Sequence, residues 1–204
     1  MEIKSFIIYF IIFTLNLVNI PNGSIISKDN YKYIEKIVMD ETDFSENGVK
    51  IQYNVKSDID REVLRIKNIF KDNYEFDEVD KYHFYIKGKN NIEIKLWKEN
   101  DNLFVEGIIL NKNENITNIY LKNILKKLEN NKTKSVKYFE YYKGELLYIN
   151  SLKDINLNDK LLKIHNGYVG KEKLSNNREF SYGIIEYNTG IYIIIGTPTI
   201  FTTY

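Results

Sequence analysis

Apolar residues recur along this chain with two different periods, and the switches between them mark its elements. Between Asn115 and Asn130, the residues Ile116, Ile119, Tyr120, Ile124, Leu125 and Leu128 fall at helical spacing. This predicts a central amphipathic helix over 115–130, with Asn115 as its cap and Lys126 and Lys127 suited to the negative end of its dipole. The flanking halves read as sheet. Upstream, Tyr31, Ile34 and Val38 share one face of a short helix behind a Ser27 cap, and Asn47-Gly48 is expected to end it and start a strand. Val49, Ile51, Tyr53 and Val55 then alternate with polar residues, the period of a half-buried strand. Ser57 or Asp58 caps a second helix in which Ile59, Val63, Ile66 and Phe70 form one stripe, with acids early and lysines late.

Three strands follow as a meander over 82–87, 92–98 and 103–110, joined by turns at Gly88-Lys89-Asn90 and Asn100-Asp101-Asn102. Alternation places Tyr82, Phe84, Ile86, Ile92, Ile94 and Leu96 on one face, expected under helices. The other face then carries His83, Tyr85, Lys87, Glu93, Lys95, Trp97, Phe104 and Glu106, a mixture of aromatic and charged groups. Beyond the central helix, strand is expected over 135–142 and 145–149 about a turn at Lys143-Gly144. The stretch 151–177 stays undecided between a short helix through Leu157, Leu161, Leu162 and His165 and a loop. Strands over 180–187 and 191–195 form a hairpin about Asn188-Thr189-Gly190, the second apolar on both faces. A helix followed by antiparallel strands thus occurs twice, which implies an α+β chain with a structural duplication.

Residues 1–26 read as an export signal: a tip containing Lys4, the apolar run Phe6 to Ile20 broken by Thr14, Asn16 and Asn19, and a stop at Pro21-Asn22-Gly23. The flank lacks an Ala-x-Ala cleavage site, so both a secreted protein and one anchored by an uncleaved signal follow, each outside the cytoplasm. The full sequence is 43% hydrophobic, enough for a core. Lys and Arg total 29 against 28 acids, and Arg61, Arg65 and Arg178 are the only arginines, which argues against a dedicated nucleic-acid binder. With no cysteine, disulfides, thiolate metal sites and a Cys nucleophile are excluded.

The C-terminus reads Gly190-Ile191-Tyr192-Ile193-Ile194-Ile195-Gly196-Thr197-Pro198, with a tail ending in Tyr204. This ending, the leader and the chain length resemble the YwmB family of low-GC Gram-positive bacteria, on Gly196-Thr197-Pro198 and the terminal Tyr204 above all. The resemblance implies a fold similar to the TATA-box-binding protein, two α+β repeats side by side. On that layout the first repeat spans 27–114 and the second 115–204. The family is functionally uncharacterised, so no catalytic residue is carried over. Read on its own, Gly196-Thr197-Pro198 ends a strand.

No stretch spells out a reaction. Asp154-x-Asn156-x-Asn158 begins like a calcium loop but places Asp159 where Gly belongs and His165 where Glu belongs. Gly167-Tyr168-Val169-Gly170 reads as a turn, since no basic helix follows it. His83 and His165, the two histidines, lack an oriented acid and nucleophile nearby in sequence. Glu93 and Glu106 could pair across strands as acid and base, yet Lys87 and Lys95 offer simpler ion-pair partners. The expectation is therefore a non-enzymatic module of the cell envelope, with no metal and no cofactor, binding an envelope protein or glycan through the aromatic sheet face. Exposed Trp and Tyr are the residue types enriched in binding hot spots. Alternatives are DNA binding by analogy with the fold, and an envelope hydrolase. Membrane contact is expected only through residues 1–26.

Overall fold

A computed structural model describes residues 31–72, 74–147, 161–173 and 179–202. The chain is α+β, with a large antiparallel sheet and three helices among the described residues. In order these are α1 (Tyr31–Asp40), β1 (Thr42–Val55), α2 (Ile59–Phe70), β2 (Glu75–Asp80), β3 (His83–Lys87), β4 (Ile92–Glu99) and β5 (Asn102–Asn111). There follow α3 (Asn118–Lys126), β6 (Thr133–Leu146), β7 (Leu162–Ile164), β8 (Gly167–Lys173), β9 (Glu179–Tyr187) and β10 (Gly190–Thr197). The expected leader, its anchor or cleavage site, and the Asp154 to Asn158 motif lie outside the described residues.

Two compact units share the chain: a continuous one, Glu46–Glu140, and a composite one made of Met1–Ser45 with Tyr141–Tyr204. The repeats expected over 27–114 and 115–204 divide the chain elsewhere, because α1 joins the later strands and α3 stays with the earlier ones. In the continuous unit the strand order is β2-β3-β4-β5-β1, with the first part of β6 beside β1. Phe84, Ile86, Ile94, Leu96, Val105, Ile109, Val49, Ile51 and Val55 line one face of it. Onto that face α2 packs Val63, Ile66 and Phe70, and α3 packs Leu121, Ile124 and Leu125, with Leu128 just beyond its end. Burying each such side chain contributes about 1.5–3 kcal/mol. The α2 cap is Asp58, whose carboxylate accepts from the backbone N–H of Asp60 at 3.0 Å and of Arg61 at 3.3 Å.

The composite unit has the order β6-β10-β9-β8-β7. Tyr31 and Val38 of α1 pack with Tyr142, Tyr182, Ile184, Ile193 and Ile195, while Ile194 turns to the other side beside Tyr141 and Ile185. Three consecutive isoleucines of β10, Ile193, Ile194 and Ile195, are each about 1% exposed, so this apolar run is buried on both faces as expected.

Several local expectations are corrected. The central helix is shorter than 115–130, and Thr117 rather than Asn115 caps it, its hydroxyl accepting from the Tyr120 N–H at 3.3 Å. Asn115 is instead tied into the preceding turn by the Asn113 side chain at 3.0 Å. Ile119 and Tyr120 are off the buried stripe, since they sit two and one residues before Leu121 and point away from it. Asn47-Gly48 does not end a helix but lies inside β1, where the Asn47 amide donates to the Ile116 carbonyl at 2.8 Å and its oxygen accepts from Asn111 at 2.8 Å. Lys143-Gly144 is no turn either. A Cβ at Gly144 would lie 2.1 Å from Thr42 Oγ1, so β6 runs straight through on a residue chosen for close approach. Gly167-Tyr168-Val169-Gly170 opens β8 for the same reason, with the Ile184 carbonyl 2.1 Å from where a Gly167 Cβ would stand. The β4–β5 turn forms as expected on Asn100 and Asp101, at φ 46° and 63°. Strand β2 lies outside the elements that the apolar pattern predicts.

Candidate functional site

The pleat of β3, β4 and β5 sends alternate side chains to opposite faces, and register brings the outward ones into rows. His83 stands opposite Lys95, Tyr85 opposite Glu93, Lys95 opposite Glu106 and Trp97 opposite Phe104. Seven of the eight expected residues are half-buried, and Lys87 is exposed. The helices take the other side: a Cβ at Gly107 would meet Leu128 Cδ1 at 2.9 Å and Leu125 Cδ2 at 3.3 Å, so α3 lies hard against it. Among the described residues, no helix of this unit covers the face that carries the candidate residues.

Its chemistry is paired rather than exposed as bare charge. Glu93 Oε1 lies 2.8 Å from His83 Nε2 and 2.8 Å from Lys95 Nζ, and it accepts from the Tyr85 hydroxyl at 3.4 Å. Partial burial works to raise the Glu93 pKa, but hydrogen bonds from Lys95 and His83 outweigh it and hold the group below the usual carboxylate value. The same hydrogen bond raises the Lys95 pKa against some desolvation, which makes this lysine a fixed cation. Glu106 Oε2 is 3.3 Å from Lys50 Nζ, and that ammonium sits 4.4 Å from the centre of the Phe139 ring. Lys87 leaves the cluster for Asp77 on β2, at 2.7 Å. Beside these ions, Trp97 and Phe104 form a stacked pair with centres 5.5 Å apart and planes 14° apart.

The structure thus brings seven of the eight residues into one mixed field and places Lys87 at its rim. It adds Lys50, Gln52 and Asn54 from β1 and Ile108 from β5, which stand in the same rows through the pairings Lys50 with Ile108, Gln52 with Glu106 and Asn54 with Phe104. Sequence alternation already marks these three β1 residues as outward, but only the pairing of β1 with β5 assigns them to this face.

A catalytic reading gains nothing here. Hydrogen bonds from Lys95 and His83 hold the Glu93 pKa down, whereas a general acid near neutrality needs a raised one, and Glu106 is taken up in its ion pair with Lys50. His165 is exposed in the β7–β8 turn. Among the described residues no three His, Asp or Glu side chains gather to hold a metal ion. Compared with known proteins, the chain matches no family model and no curated protein.

Proposed function

We propose that this protein is an exported, non-enzymatic module of the YwmB type that binds a protein or glycan of the cell envelope through the sheet face of the unit Glu46–Glu140. One observation carries the reading: a stacked Trp97–Phe104 pair stands next to fixed ion pairs on a sheet face that no helix of its unit covers. Such a surface offers a large apolar area with pre-oriented polar partners around it, the composition of a binding hot spot and its rim. The fold proposed with it is the two-repeat arrangement of the TATA-box-binding protein. Its support is connectivity: in β2-β3-β4-β5-β1 and in β7-β8-β9-β10-β6 alike, the first strand of the series returns beside the last.

DNA binding by analogy with that fold has less support. The face spends Lys50, Lys87 and Lys95 on carboxylates, and phosphate binding needs a basic surplus.

Affinity measured against solubilised envelope proteins and wall glycan, with the native chain and with Trp97→Ala/Phe104→Ala, tests the reading. Loss of the pair is expected to weaken binding at least about tenfold, as for a central aromatic anchor. Unchanged affinity would remove the face from consideration. Export is tested separately, by the N-terminal residue of the protein recovered from cells: a start between Gly23 and Lys28 outside the cytoplasm is expected, or an intact Met1 at the membrane.

A further inference from the structure

Helix α3 buries Leu121, Ile124 and Leu125 against the sheet, and this fixes what its other side shows. At 100° per residue, Ile119, Tyr120, Asn123, Lys126 and Lys127 project away from the core, and all five are exposed. Ile119 is 62% and Tyr120 46% exposed. Single exposed apolar residues are ordinary, but here two large ones are adjacent on a helix with no acidic residue, with exposed Lys132 in the turn beyond it. Of the carboxylates flanking the helix, Glu114 is exposed ahead of it, Glu129 accepts a hydrogen bond from Tyr138, and Glu140 is paired with Lys122 at 3.2 Å.

We infer that the outer side of α3 is a docking surface for an anionic lipid bilayer. Charge complementarity and the apolar pair point to the same partner. Each lysine near an anionic membrane gains about 1 kcal/mol, and a tyrosine settles well at the headgroup level with its ring in apolar surroundings. A water-soluble polyanion would satisfy Lys126, Lys127 and Lys132 but leave Ile119 in water, whereas the headgroup boundary accommodates both. With so few groups the attachment is weak and reversible. It also sets an orientation. Because α3 packs on one side of the sheet in its unit and Trp97 and Phe104 stand on the other, docking through α3 turns the candidate binding face away from the bilayer.

The native chain has no cysteine, so one introduced thiol takes a fluorescent label uniquely. The full chain carrying an environment-sensitive dye at Ile119→Cys is mixed with vesicles of phosphatidylcholine and phosphatidylglycerol, and with phosphatidylcholine alone. A Lys89→Cys label in the β3–β4 turn serves as the control. The expected result is a blue shift at position 119 on the mixed vesicles only, reversed by high salt and absent at position 89. Adding Lys126→Gln/Lys127→Gln is expected to weaken that response about thirtyfold. Attachment through the run Phe6 to Ile20 would act on both labels and both vesicle types alike. No shift on mixed vesicles, an equal shift on neutral ones, or the same shift with duplex DNA in solution would overturn the inference.

Discussion

Glu62 is the most deeply buried carboxylate of the described chain, 2% exposed, and its surroundings show how one charge is made tolerable. Arg65 meets it with two bonds, Nε at 3.0 Å and Nη2 at 2.6 Å, and the same guanidinium donates to the Leu128 carbonyl at 2.7 Å behind α3. The Tyr53 hydroxyl also donates to Glu62, at 3.2 Å; burial, then the Glu62 charge, pushes this phenol far above its ordinary pKa and keeps it a donor. Arg65→Met would leave Glu62 buried without its cation and is expected to cost about 3–5 kcal/mol in urea unfolding. Restoring neutrality with Glu62→Gln in the same chain is expected to recover part of the loss. At Glu93 the expected signature is in pH. Its pKa is lowered in the folded state, so its ion pairs stabilise the fold above the ordinary value of 4.5 and lose that contribution as pH falls through the lowered value. Glu93→Gln is therefore expected to lower the urea midpoint at pH 7, with the gap to the native chain closing in more acid solution.

Among the elements, those set by local pattern were legible and those set by a distant partner were not. The stripe Val63, Ile66 and Phe70 made α2 readable to within a residue of its cap, Asp58 being one of the two candidates, and the alternation of β3, β4 and β5 gave both faces. Lys143-Gly144 and Gly167 misled because a glycine that permits a turn and one that admits a neighbouring strand share the same property, the missing Cβ. Only the identity of the neighbour separates the two, and it lies about a hundred residues away for Gly144 and Thr42, in the range where pattern reading is weakest. Strand β2 escaped because five of its six residues are exposed, which leaves no alternation to detect. For Gly167 the contact is with backbone, which cannot step aside as a flexible side chain does. Gly167→Ala is expected to cost about 1–3 kcal/mol, and hydrogen exchange should locate the faster amides in β8 and β9.

For the molecule as a whole, the sequence gives the α+β class and the outward residues of one meander, but not the division into units. That division depends on α1 joining strands more than a hundred residues later in the chain, which no local period encodes. The candidate site was legible in the same partial way: its β3, β4 and β5 members follow from alternation, and its β1 members only from register. The central claim is that this face meets an envelope component. Trp97 is the only tryptophan of the chain, so its emission reports on that face alone. The most direct measurement is quenching of that emission by acrylamide with and without solubilised envelope proteins and wall glycan, at concentrations where the protein is bound. Binding through the face predicts a blue-shifted emission that acrylamide quenches less, and protein that binds while its emission and quenching stay unchanged would contradict it.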